Sequence, residues 1–147
     1  MIWNNEKYKP AIEALGDMTW PVRGLRDNHI FQNHLGDWVS RQVAESGCLE
    51  VGGIRRPTPH VLSDFEAMCI ISEFALLWLA ERHVLVNIET QGETKCRGQC
   101  YVCRDGYQWL DDDGVFSEFG LVQTFTDRHE ALAEAMLAVL REEEGKP

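Results

Sequence analysis

The sequence predicts an α+β fold: N-terminal helices, then an α-β-β-β-α unit whose antiparallel sheet packs on helices. Three local patterns carry that expectation. Ser63-Asp64-Phe65-Glu66 has the spacing of a capping box, in which a serine hydroxyl and a glutamate carboxylate each accept from the other's backbone amide at a helix start. Val84, Val86 and Ile88 alternate with Leu85 and Asn87, the period of a strand buried on one face. Asp105-Gly106 lies between two strand-like segments, and both central residues of such a tight hairpin turn need positive φ.

Taken in order, residues 7–15 place Tyr8, Ile12 and Leu15 on one helical face, and Gly16 can end that helix. A loop with Trp20-Pro21 follows. Asn28 can cap a second helix over 29–46, because Phe31, Leu35, Trp38, Val39 and Val43 recur at helical spacing and Gly47 follows. Gly52-Gly53 and Pro57-Thr58-Pro59 mark residues 47–61 as a linker, dividing the chain into 1–60 and an acidic domain over 61–147. The capped helix should run over 64–82 and, apolar nearly all round, act as the enclosed core helix. After a turn at Gln91-Gly92, a two-residue turn at Asp105-Gly106 would pair Val102 with Trp109 and Tyr101 with Leu110. Residues 115–123 can add a short strand. Thr126 or Asp127 caps a last helix with Leu132, Met136, Val139 and Leu140 on its stripe. Only the tail, 142–147, is expected to stay disordered.

A chain of 147 residues buries roughly 68–70% of its unfolded surface, enough for one core. The opening Met1-Ile2-Trp3-Asn4-Asn5-Glu6-Lys7 lacks the pattern of a secretory leader, and no apolar run approaches the ~20 residues of a membrane span. Five cysteines without an export signal read as reduced thiols, so a cytoplasmic location is expected. The net charge of −10 is unevenly placed: residues 1–60 hold seven acids and seven Lys/Arg, while 61–147 hold seventeen acids and seven Lys/Arg. A field of that sign repels phosphate backbones and argues against direct nucleic-acid binding.

Few constellations carry chemistry. Cys96, Cys100 and Cys103, with Cys48, have the residue type of a zinc site, but Cys100 and Cys103 at odd separation on one strand face opposite ways. They read as small buried thiols. No His-Glu-x-x-His pair occurs, and a Cys48/His60 nucleophile pair has no accompanying motif. No glycine-rich phosphate loop is present, and Gly52-Gly53-Ile54-Arg55-Arg56 reads as a basic connector. Asp111-Asp112-Asp113 lacks the further ligands of a calcium loop. No cofactor or metal is assigned. The acids are either plain solvated surface that aids solubility or a partner-binding face formed by Asp111, Asp112, Asp113, Glu118, Glu130 and Glu134 with Trp109, and with Glu142 to Glu144 extending it.

The element order α-β-β-β-α resembles a double-stranded-RNA-binding domain, but the last helix opens Thr126-Asp127-Arg128-His129-Glu130 where that family has a lysine-rich run, so RNA binding does not carry over. Asp105-Gly106-Tyr107-Gln108-Trp109, followed by Phe125-Thr126-Asp127-Arg128-His129-Glu130-Ala131-Leu132-Ala133, resembles the endings of small phage and prophage αβββα-sandwich accessory proteins. That resemblance spans residues 61–147 and transfers no catalytic residue. It implies a non-catalytic, acidic, anti-CRISPR-like inhibitor that blocks a basic nucleic-acid-binding surface of a host protein. The alternatives are a toxin-neutralising immunity protein and a small thiol- or metal-dependent enzyme using Cys96, Cys100 or Cys103. Either binding reading is compatible with a homodimer.

Overall fold

The computed structural model describes residues 1–21, 27–42, 59–89 and 99–145. They form two compact units, one of residues 1–15 and 70–147, the other of residues 16–69. The α+β class holds: among the described residues, three α-helices accompany two four-stranded antiparallel sheets.

In the smaller unit, β1 (Met18–Trp20), β2 (Asn28–Gln32), β3 (Trp38–Gln42) and β4 (His60–Val61) form an antiparallel meander in chain order. The helix expected over 29–46 is thus a β-hairpin through residue 42, with 43–46 outside the described residues. The turn explains the difference. Asn33 Oδ1 accepts from the amides of Leu35 (3.0 Å) and Asp37 (2.9 Å), while Gly36 supplies a φ of +88°. Asparagine and glycine at these places favour a turn over a continuing helix, and this outweighs a helical repeat of apolar residues. The expected linker, apart from residues 59–61, also lies outside the described residues, as do Cys48, Arg55, Arg56, Cys96 and Gln91-Gly92.

Helix α2 (Asp64–Ala80) opens with the expected reciprocal cap: Ser63 N–H donates to Glu66 Oε1 (3.1 Å) and Glu66 N–H to Ser63 Oγ (3.2 Å). Its enclosure is less complete than its composition implies. Ala67, Ile71, Ala75 and Leu79 are buried on a stripe at i, i+4 spacing, but Phe65 is 70% and Leu77 61% exposed.

In the larger unit, two 3-10 turns (Ile2–Asn4 and Glu6–Tyr8) lead into α1 (Lys9–Leu15). The sheet runs β5 (Val84–Glu89), β6 (Gln99–Arg104), β7 (Gln108–Leu110), β8 (Phe116–Ser117), again in chain order. Of the strand expected at 115–123, only Phe116–Ser117 forms, although isolated bridges join Asp111 to Val122 and Cys100 to Phe125. Helix α3 (Arg128–Glu144) packs on β5 and β6 and against α1. It continues helically into the tail expected to be disordered. Here is the enclosed helix: all nine residues from Ala131 to Val139 are buried. Four of them are alanine, whose small side chains let neighbours approach on several sides.

The β6–β7 register is also shifted from expectation. Asp105 (φ +57°) and Gly106 (φ +79°) form the turn, but Tyr107 is an extra residue, so Arg104 pairs with Gln108 and Cys103 with Trp109. A one-residue slip exchanges the faces of a strand. The observed register puts Leu110 on the same face as Val102, and both are fully buried; the expected one would have divided them.

Candidate functional site

The acidic end of the larger unit is built by two side chains that occupy backbone donors. Asp111 Oδ1 accepts from the amides of Asp113 (2.9 Å) and Val115 (3.0 Å), and Gly114 at φ +75° closes the turn. After β8, Ser117 Oγ accepts from the amides of Phe119 (3.2 Å) and Gly120 (3.0 Å). Gly120 lies so close to Asp111 that a Cβ there would sit 3.1 Å from Asp111 Oδ2. The two turns lie against each other. Phe119, 95% exposed, lies in the second turn and Leu121, 81% exposed, just after it; Asp112 and Asp113 in the first turn and Glu118 in the second are exposed as well.

The sequence-predicted binding residues are not all brought to this surface. Asp111 is half-buried and serves the turn. Trp109 is half-buried within the sheet, opposite Cys103 and Ser117. Glu130 is exposed on the first turn of α3. Glu134 is buried: its Oε1 accepts from Tyr8 Oη (2.8 Å) and pairs with Lys7 Nζ. Burial, reinforced by this carboxylate, pushes the Tyr8 hydroxyl well above the ordinary tyrosine range. Glu142 pairs with Arg104, and Glu143 lies 3.5 Å from Arg82, whose guanidinium also covers the Trp78 ring. The predicted continuous acidic face is therefore interrupted, leaving Asp112, Asp113 and Glu118 as its outward core.

A second feature lies between α2, β5 and the start of α3. Asp127 caps α3 by accepting from His129 N–H (2.9 Å). His129 Nδ1 is 2.6 Å from Ser72 Oγ, and Trp3 Nε1 donates to the same oxygen at 3.1 Å. With Trp3 as donor, the serine hydroxyl is free to donate to an unprotonated Nδ1. Burial lowers the His129 pKa, which favours that neutral ring. Beside Ser72 opens a cleft of about 160 Å³, whose rim carries Glu73 and Arg128.

Cys100 and Cys103 are buried, and burial pushes the Cys100 thiol up, away from the thiolate a nucleophile needs. Among the described residues, no group of three or more His, Cys, Asp or Glu could hold a metal ion, and no helix is long and apolar enough to cross a membrane. No protein family, curated protein or solved structure matches the chain.

Sequence reasoning missed Phe119, Leu121 and the Ser72–His129 contact. The first two lie in a segment read as strand, although Ser117 and Gly120 are turn formers within it. The contact joins residues 57 positions apart and leaves no local pattern.

Proposed function

We propose that the chain is a non-catalytic binding protein that docks its acidic end on a basic surface of a partner protein, in the manner of an inhibitor covering a nucleic-acid-binding groove. One observation carries this reading: two large apolar side chains, Phe119 and Leu121, stand almost fully in solvent beside the Ser117 turn, which packs against an Asp111 turn carrying the exposed Asp112 and Asp113, and Glu118 is exposed as well. Exposed aromatic anchors supply contact area, and turns already held in shape reduce the ordering cost of association. The carboxylates would act chiefly on encounter rate and on exclusion of nucleic acid from the covered groove.

The test is affinity capture from bacterial lysate, followed by kinetics on the captured protein with two variants. Asp112→Asn/Asp113→Asn/Glu118→Gln should slow association at low salt; Phe119→Ser/Leu121→Ser should speed dissociation. Duplex DNA or RNA should compete for the captured protein. Asp111 is left unchanged because it holds the turn. Binding by both variants equal to that of the parent at low salt would overturn the proposal.

A further inference from the structure

The cleft beside Ser72 carries two opposite charges that do not meet. Glu73 and Arg128 both line its rim, yet they form no ion pair with each other, nor with any other described residue. The rest of the lining is apolar apart from Ser72, formed by Leu76, Val86, Ile88 and Leu132, of which Leu76 is 36% and Ile88 57% exposed. Ser72, 2% exposed, contributes a hydroxyl whose position is fixed by Trp3 and His129. The volume, about 160 Å³, is close to that of an engineered apolar cavity of ~150 Å³ that takes a benzene-sized guest. A small ligand that offers an anionic group to Arg128, a cationic group to Glu73 and hydrocarbon to the apolar lining is a zwitterion with a short hydrocarbon side chain.

We infer that this cleft binds a free α-amino acid with an aliphatic side chain, its carboxylate on Arg128, its ammonium on Glu73 and its side chain against Leu76, Val86 and Ile88. The carboxylate matches the planar fork of a guanidinium, and the ammonium requires an acceptor such as the Glu73 carboxylate. The site is separate from the acidic end, so a ligand here and a protein partner there are testable independently.

Titration calorimetry of the full chain with L-leucine tests this, with isocaproate (no ammonium) and isoamylamine (no carboxylate) as probes. Saturable leucine binding is expected, each analogue being weaker by about tenfold or more through loss of one charged hydrogen-bonding end. Arg128→Gln should weaken leucine similarly while leaving isoamylamine unaffected, and Glu73→Gln should do the reverse with isocaproate. Both side chains belong to exposed residues, and the comparison of ligands on the parent chain stands without either variant. Absence of saturable leucine binding, equal binding of leucine and isocaproate, or insensitivity to both substitutions would overturn the inference.

Discussion

Glu134 offers the sharpest test of how the first fifteen residues are held on α3. The carboxylate is nearly enclosed, its side chain 11% exposed, and it accepts from a Tyr8 hydroxyl belonging to a residue only 4% exposed. Its other partner, Lys7, is 55% exposed and can return to water. Replacing Glu134 by leucine keeps the volume but leaves the Tyr8 hydroxyl without its acceptor, at a cost of about 1–3 kcal/mol. Loss of the half-exposed ion pair adds only about 0.2–1 kcal/mol. The sum, roughly 1–4 kcal/mol, corresponds to a melting decrease of about 2–4 °C per kcal/mol for a chain of this size. Adding Tyr8→Phe should then restore much of the loss, because removing both polar partners leaves no unpaired buried group. Circular dichroism melts and urea titrations of the parent, Glu134→Leu and the double variant measure this. A double variant no more stable than the single one would refute the assignment of the cost to the stranded hydroxyl.

Three further outcomes are expected. Gly114→Ala should cost about 1–2 kcal/mol from its positive φ, and the cost should persist in an Arg141→Ala background, since a new Cβ at 2.8 Å meets only the movable Arg141 guanidinium end; urea titration measures both. Stability should fall at both ends of the pH range. The lowered His129 pKa means that the unfolded chain takes up a proton first as pH drops below about 6.5, so this contribution is present above that pH and is lost through the folded pKa. The raised Tyr8 pKa makes its contribution complete below about pH 10 and lost as pH rises beyond it, and melts across pH should lose the alkaline limb in Tyr8→Phe. Site-resolved alkylation of the native chain should modify Cys100 and Cys103 far more slowly than in denaturant.

Signals confined to a few neighbouring residues were legible. The Ser63/Glu66 cap, the β5 strand, the positive-φ turn at Asp105-Gly106 and the Asp127 cap each depend on atoms within four residues, and each formed, although Ile88 on the strand face expected to be buried is 57% exposed. What was not legible depended on competition. Phe31, Leu35 and Trp38 fit a helical repeat, yet Asn33 and Gly36 in their midst close a hairpin. Apolar content pointed to α2 as the enclosed helix, whereas the alanines of α3, weakly apolar individually, permit closer packing. At the candidate site, the outward placement of Asp112, Asp113 and Glu118 followed from their chemistry, but the Phe119 and Leu121 exposures did not, because large apolar residues are ordinarily read as core.

Counting acids in a sequence measures net charge, not the surface on which that charge can act. In this chain several carboxylates are engaged internally: Glu66 and Asp127 cap helices, Asp111 closes a turn, Glu134 anchors the N-terminal segment, and Glu142 and Glu143 lie against arginines. On the proposed reading, a partner would meet a short acidic edge rather than a long one, and a few screened surface charges cannot by themselves secure a lasting complex. In such a complex persistence would have to come from apolar contact, and the exposed Phe119 and Leu121 are the side chains proposed to supply it. The division of labour follows from physical range. Charge acts over about a Debye length, ~8 Å in physiological salt, and so governs approach. Apolar burial acts only at contact, and so governs release.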